Sequence, residues 1–160
     1  MMVKRLSADA RRAVLTSAAE ETQRCGDRRI GTEHLLLGVL HDPGSEVAQA
    51  LGVDLGSARA ASTALDREAL AAVGVDVEQL SPLSNVAGPH GRPPLTSGAR
   101  AVLQRSLHEA RWTRSRSIET RHLLLALLAR ERPDPAAELL AALRVDPAAV
   151  RERLGASSGD

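Results

Sequence analysis

The sequence predicts an all-α domain built from one four-helix unit used twice. Three observations carry the prediction. The pattern Ile30-x-Thr32-x-His34-Leu35-Leu36-Leu37 returns 88 residues later as Ile118-x-Thr120-x-His122-Leu123-Leu124-Leu125, and Arg12-Ala13-Val14-Leu15 returns as Arg100-Ala101-Val102-Leu103 at the same offset. Apolar residues make up 43% of the 160, mostly Ala, Leu and Val, with no Phe, no Tyr and one Trp, so the core must be aliphatic. That favours close-packed helices over a sheet rich in aromatic and β-branched residues. Finally, hydroxyl and Asp residues suited to capping stand ahead of the apolar runs.

In the first copy, Ser7 caps a helix running to about Cys25, with Val14, Leu15, Ala18 and Cys25 on its apolar face. Thr32 caps a second helix from Glu33 to about His41, apolar nearly all round and therefore the buried centre of the unit. A third helix runs from about Ser45 to Leu51, and a fourth follows Asp54 with Leu55, Leu65 and Leu70. In the second copy Thr96 or Ser97 starts the first helix and Thr120 caps the next. Asp134-Pro135 and Asp146-Pro147 each set a capping Asp before a Pro, which the first helical position tolerates. Leu51-x-Val53-Asp54 matches Leu143-x-Val145-Asp146 at an offset of 92, which puts four extra residues in the loop after the second Leu-rich helix. The expected organisation is repeat one at about 2–73, a linker at about 74–94 whose Ser81–Pro94 stretch is rich in Pro and Gly, repeat two at about 95–154 and a frayed tail at 155–160.

Composition removes several function classes. The formal net charge is +1 with signs interspersed, so there is no basic stripe for nucleic acid or for a helix-turn-helix regulator. Lys4 is the sole lysine, and a phosphate-cradling Gly-Lys-Ser/Thr loop is absent. Cys25 is the single cysteine, so no internal disulfide forms, which fits a reducing cytoplasm. No apolar run approaches a membrane span, and Met1–Arg5 lacks the apolar stretch of a signal peptide.

The run Ile30-Gly31-Thr32-Glu33-His34-Leu35-Leu36-Leu37-Gly38, with the spacing back to Leu6-Ser7 and Arg12-Ala13-Val14-Leu15, resembles the N-terminal repeat of Clp protein-unfolding ATPases, and within them the ClpC branch. The resemblance covers about residues 2–154 and is closer in the first copy. It implies eight helices in one globular domain with pseudo-twofold symmetry, no catalytic activity and no cofactor. It also implies partners: a Clp ATPase, and adaptor or substrate proteins, some arginine-phosphorylated. Cyclic-peptide antibiotics dock on such domains, and stand-alone members exist that sequester them. The leading reading is therefore a substrate- or adaptor-recognition module, expected to be monomeric, and the alternative is a stand-alone decoy for those antibiotics.

The resemblance points to two surfaces. Glu33 with Ser7 would form a phosphoarginine pocket, in which a carboxylate meets the guanidinium while a hydroxyl and helix N–H groups meet the phosphate. The plainer reading of Glu33 is an acid favourably placed against a helix dipole. In the second copy Thr96 keeps the hydroxyl but Arg121 replaces the acid, so at most one such pocket is expected. A hydrophobic groove would be lined by Met2, Leu6 and Leu95, with Arg100 one turn on, and it lacks the rings usual at the Met2 and Leu95 positions of that branch.

His34 and His122 occupy matched positions but lie in different copies with no Cys or second His at ligand spacing. Each is read as a buried His hydrogen-bonded at a helix start, and no metal is expected. Cys25, at a helix C-terminus where the dipole disfavours a thiolate, reads as a small core or near-surface thiol, and Trp112 as a partly buried packing residue or, if exposed, an anchor for a partner. No Gly-x-Ser-x-Gly elbow surrounds any serine, which leaves a small helical enzyme without a nucleophile.

Overall fold

The computed structural model describes residues 5–75 and 91–156. Among them are eight helices and no strand. Helix α1 is continuous from Ala8 to Cys25 in three segments: α-helical Ala8–Arg12, π-helical Ala13–Ser17 and α-helical Ala18–Cys25. The others are α2 (Thr32–Val39), α3 (Glu46–Leu51), α4 (Leu55–Ala72), α5 (Ser97–Trp112), α6 (Thr120–Leu128), α7 (Pro135–Ala142) and α8 (Pro147–Ala156). The expected Ser81–Pro94 loop falls mostly outside the described residues, as does most of the tail.

The Leu-rich helices sit where their all-round apolarity requires. Leu35, Leu36 and Leu37 of α2 and Leu123, Leu124 and Leu127 of α6 are fully buried in one continuous core. Each contributes roughly 1.5–3 kcal/mol of apolar burial. Helix α2 packs on α1, α6 packs on α5, and α2 and α6 touch across the junction.

Two isolated parallel bridges hold the repeats together, Leu6 with Ile118 and Ile30 with Leu95. The Ile118 N–H donates to the Arg5 carbonyl at 2.7 Å and the Ser7 N–H to the Ile118 carbonyl at 2.9 Å. The related pair runs from the Ile30 N–H to the Pro94 carbonyl at 2.8 Å and from the Thr96 N–H to the Ile30 carbonyl at 3.0 Å. The arm entering each repeat therefore lies on the other repeat, in the stretch leading into its Leu-rich helix.

The structure moves two assignments by one position. The N-caps of α2 and α6 are Gly31 and Glu119, not Thr32 and Thr120. The reason lies at the third helical position, where His34 Nδ1 accepts the Gly31 N–H and His122 Nδ1 the Glu119 N–H, both at 2.9 Å. This is the back-reaching half of a capping box with His in place of Glu or Gln. The register of α1 also shifts. The caps Ser7 and Thr96 stand 89 residues apart while Ile30 and Ile118 stand 88 apart, so repeat one holds one more residue between cap and signature. The π segment absorbs it, the Ala18 N–H reaching back five residues to the Ala13 carbonyl. Hence the buried set Ala10, Ala13, Val14 and Ser17 matches Ala99, Val102, Leu103 and Ser106, and the Arg12–Leu15 identity is one residue out of register at the start of the helix.

The four extra residues of repeat two are not in a loop. The connections 40–45 and 129–134 are equally long, while α6 and α7 are longer than α2 and α3 and Leu143 caps α7 where Leu51 is still helical. After this, Gly52 at φ 69° corresponds to Arg144 at φ 56°. Gly26 and Arg114 form the same left-handed pair after α1 and α5. Repeat two therefore carries a non-Gly residue at both helix ends, at about 1 kcal/mol each.

Glu21 ties three elements together. Its carboxylate is fully buried in α1, accepts from Arg59 Nε of α4 at 3.0 Å, and lies 2.8 Å from His41 Nε2 just beyond α2. Burial alone would raise its pKa, but the hydrogen bonds and charges of Arg59 and His41 outweigh it and hold the carboxyl below its ordinary 4.5. A lowered acid stabilises the fold above pH 4.5 and loses that contribution as pH falls through its folded pKa. Glu21→Gln is expected to flatten the acid limb of the stability–pH curve. Arg59→Met is expected to cost roughly 3 kcal/mol near neutrality, since it strands a buried charge. Urea titrations across pH check both.

The π segment also dictates Gly38. A methyl on Gly38 would sit 2.6 Å from the Ala13 carbonyl oxygen and 3.1 Å from the Ala18 nitrogen, both backbone atoms. At the matching position of the unbulged repeat, Ala126 is buried without difficulty. Gly38→Ala is expected to destabilise by about 1–3 kcal/mol in urea, despite the better helix propensity of Ala. Ala126→Gly is expected to lose about 1 kcal/mol on propensity alone.

Candidate functional site

The starts of α2 and α6, with the arms laid beside them, contain most of the residues singled out from sequence. Met2 lies outside the described residues. The Ser7 hydroxyl accepts the Ala10 N–H at 3.2 Å and the Thr96 hydroxyl the Ala99 N–H at 3.1 Å, so both act as helix caps. No hydrogen bond joins Ser7 to Glu33 among the described residues. The arms cross, so Ser7 is held on Ile118, while Thr96 is held on Ile30, three residues before Glu33. Each capping residue is thus held by its backbone on the isoleucine of the opposite repeat.

The two apolar arm residues differ. Leu6 is buried in the core, whereas Leu95 in the related bridge is half-buried and still offers apolar surface. Arg100, one turn into α5, is exposed. Thr32, released from capping its own helix, donates to Asp134 Oδ1 at 2.8 Å and accepts the Ala136 N–H at 3.1 Å. It therefore reinforces the cap of α7, sharing the Ala136 N–H with Asp134 Oδ1 at 3.0 Å, and Arg130 Nε closes the group on Asp134 Oδ2 at 3.0 Å.

Arg121 is a structural tie. One terminal nitrogen meets both Glu46 Oε1 of α3 and the Leu154 carbonyl of α8, each at 2.8 Å. Arg153 Nε adds a bond to the Ala50 carbonyl at 2.8 Å, so α3 and α8 are laced together.

Glu33 has a different setting. Its side chain is mostly covered, and its Oε2 is buried with no hydrogen-bond partner. Burial raises its pKa; His34 and its own backbone oppose this, while the charges of Asp27 and Asp66 add to it. Asp66 is raised too, first by burial and then by Asp27. His34 Nε2 lies 3.0 Å from Asp27 Oδ2. Burial pushes the imidazole down, but hydrogen bonds to Asp27 and Cys25 and the nearby carboxylate charges prevail, and its pKa is pushed up to about 10. The Gly31 hydrogen bond opposes that charge, since a proton on Nδ1 would face the Gly31 N–H. His122, with Thr113 Oγ1 3.0 Å from its Nε2, is instead lowered, first by burial.

The structure selects between the sequence alternatives for Cys25 and Trp112. Cys25 is exposed, and its Sγ lies with an Asp27 oxygen and a His34 nitrogen such that all three atoms are within 4.8 Å of one another. Linear spacing hid this, because the left-handed turn at Gly26 redirects the chain at Asp27 and the first turn of α2 brings His34 to it. The available signal was local: Cys25-x-Asp27 stands where repeat two has Thr113-x-Ser115. Trp112 is 81% exposed at the end of α5.

The model of the Clp repeat (R) N-terminal domain matches residues 5–141 and 94–159. The chain belongs to that family. It is 31% identical over 144 residues to the chloroplastic chaperone protein ClpC2 of Oryza sativa subsp. japonica, across 88% of this chain. It is 32% identical over 150 residues to the Clp protease ATP-binding subunit ClpA homolog of Guillardia theta, across 92% of this chain. It spans only 14% and 16% of those proteins. Among solved structures, the N-terminal domain of the chaperone ClpD from Arabidopsis thaliana shares the fold, with a TM-score of 0.68 at 21% identity and 97% of each chain covered. Among the described residues the Clp repeat has helices and no strand, and no helix is long and apolar enough to cross a membrane.

Thr32→Val keeps the shape of the side chain but removes its bonds to Asp134 and Ala136. A loss of about 1 kcal/mol is expected in urea, that of a buried side-chain hydrogen bond, while Asp134 continues to cap α7.

Proposed function

We propose that this Clp repeat domain is a non-catalytic docking module that binds substrate or adaptor segments for a Clp ATPase. The observation that carries the reading is the unequal arms. At matched bridges Leu6 is sealed into the core while Leu95 remains half-open, beside the start of α2 and one turn from the exposed Arg100. A half-covered leucine flanked by a backbone bridge and a free guanidinium suits a short segment with an apolar anchor and an acidic or polar neighbour. Family membership supports the class of partner.

The finer ligand chemistry belongs to the same proposal. Glu33, near Asp27 and Asp66, favours a cationic guanidinium, and the first-turn N–H groups of α2 favour an attached phosphate, so a phosphoarginine site is proposed in repeat one only. Arg121, tied to Glu46 and Leu154, has neither the charge nor the freedom to form a second one. The aliphatic Leu95 offers no ring for stacking, so a cyclic-peptide antibiotic is expected to bind more weakly than to a relative with an aromatic there.

The test is a titration of the isotope-labelled chain with reduced casein, before and after arginine phosphorylation. Amide shifts are expected to centre on Leu95, Thr96 and Arg100, and Leu95→Asp is expected to weaken binding at least ten-fold with the fold intact by circular dichroism. Phosphoarginine itself is expected to fill at most one site. Unchanged binding by Leu95→Asp would overturn the groove, and two equivalent phosphoarginine sites would overturn the asymmetry.

A further inference from the structure

We infer that Cys25, Asp27 and His34 form a binding site for a thiophilic divalent cation, zinc foremost, with Glu33 as the positioning carboxylate behind the histidine. The site joins the end of α1, the turn after it and the start of α2.

Geometry comes first. Cys25 Sγ, an Asp27 oxygen and a His34 ring nitrogen lie within 4.8 Å of one another, so small rotamer changes of the two exposed side chains close them on one ion. Thiolate, imidazole and carboxylate are zinc's usual donors, and three protein ligands leave the fourth tetrahedral position to water. The thiolate contribution selects against magnesium and calcium.

The surroundings provide a second, independent argument. Glu33 and Asp66 add two more acids to this corner, and no salt bridge pairs Glu33, Asp27 or Asp66 with Arg or Lys among the described residues. A corner with this much negative charge and one imidazole favours a cation. Glu33 Oε2 is moreover buried without a partner, an arrangement that costs free energy and calls for an explanation.

Metal binding would give the Glu33 carboxylate a partner through its other oxygen. In the metal-free arrangement His34 Nδ1 lies 2.9 Å from the Gly31 nitrogen and Nε2 lies 3.0 Å from Asp27 Oδ2. An ion bound to Nε2 leaves the ring's one proton on Nδ1. Glu33 Oε1, 3.8 Å from Nδ1, is the acceptor at hand. The result is a carboxylate–histidine–metal relay, in which one helix-cap hydrogen bond is exchanged for a bond to a carboxylate.

Repeat two is the internal control. His122 keeps the same cap, so the histidine alone is explained by folding. Around it, however, Thr113, Ser115 and Arg121 stand where repeat one has Cys25, Asp27 and Glu33. Thiol, carboxylate and positioning acid are all replaced together.

The experiment titrates the untagged full chain with Co²⁺ and, by calorimetry, Zn²⁺. One equivalent of Co²⁺ should produce a thiolate-to-cobalt charge-transfer band, and because Cys25 is the only cysteine the band has one assignment. Cys25→Ser should abolish the band and weaken Zn²⁺ at least ten-fold, and Asp27→Asn should weaken Zn²⁺ with the band retained. Glu33→Gln should weaken Zn²⁺ roughly ten-fold, in the range expected for an outer-shell partner. Cys25 and Asp27 are exposed, so both variants should fold as wild type by circular dichroism. Absence of the band, or Zn²⁺ affinity unchanged in Cys25→Ser, would overturn the site.

Discussion

Everything in this domain depends on two crossed backbone bridges. Arg5–Ser7 lies on Ile118 and Pro94–Thr96 lies on Ile30, each through a pair of short hydrogen bonds. Both isoleucines are buried, so neither repeat presents a finished core without the other's arm. The same crossing sets which residues can meet. It sets the backbone of Thr96 on Ile30 and that of Ser7 on Ile118, and Thr32 reaches across the junction to reinforce the Asp134 cap of α7. The pseudo-twofold relation is thus maintained by exchange of contacts between the repeats as well as by similarity of sequence.

Within that frame the repeats have diverged in a consistent direction. Repeat one carries Gly at both left-handed helix ends, Gly38 under the π segment, and acids with a thiol around His34. Repeat two carries Arg at those helix ends, Ala126 in place of the glycine, and Arg121 locked to α3 and α8. Chemistry is concentrated in the first repeat and lacing in the second. The half-open Leu95 belongs to the second repeat's arm, but it lies on the first repeat, so the proposed docking surface and the proposed cation site border the same helix.

The parts legible in the sequence were those governed by periodicity. Two matched leucine runs, buried except for Leu125, gave the centre of the core, and Ser7, Thr96, Asp54 and Asp134 gave helix starts that the structure retains. The parts that were not legible depend on a single residue of register or on contacts across the chain. The RAVL identity concealed the π segment, because matched letters do not reveal a backbone that has absorbed an extra residue. A threonine before a Leu run resembles a cap, and only the structure shows that histidine has taken that role and freed the hydroxyl for the other repeat. The Cys25–Asp27–His34 group requires a left-handed turn and an adjacent helix, neither of which linear ligand spacing encodes.

The most direct measurement is native-state hydrogen exchange on the amides of Ser7, Ile30, Thr96 and Ile118, compared with those of Leu36 and Leu124. If the crossed bridges make the two repeats one cooperative unit, all four bridge amides exchange only through global unfolding, with the same free energy as the two core leucines. Exchange of the bridge amides at a distinctly lower free energy, while the leucine amides stay protected, would show arms that detach from intact repeats and would contradict the account.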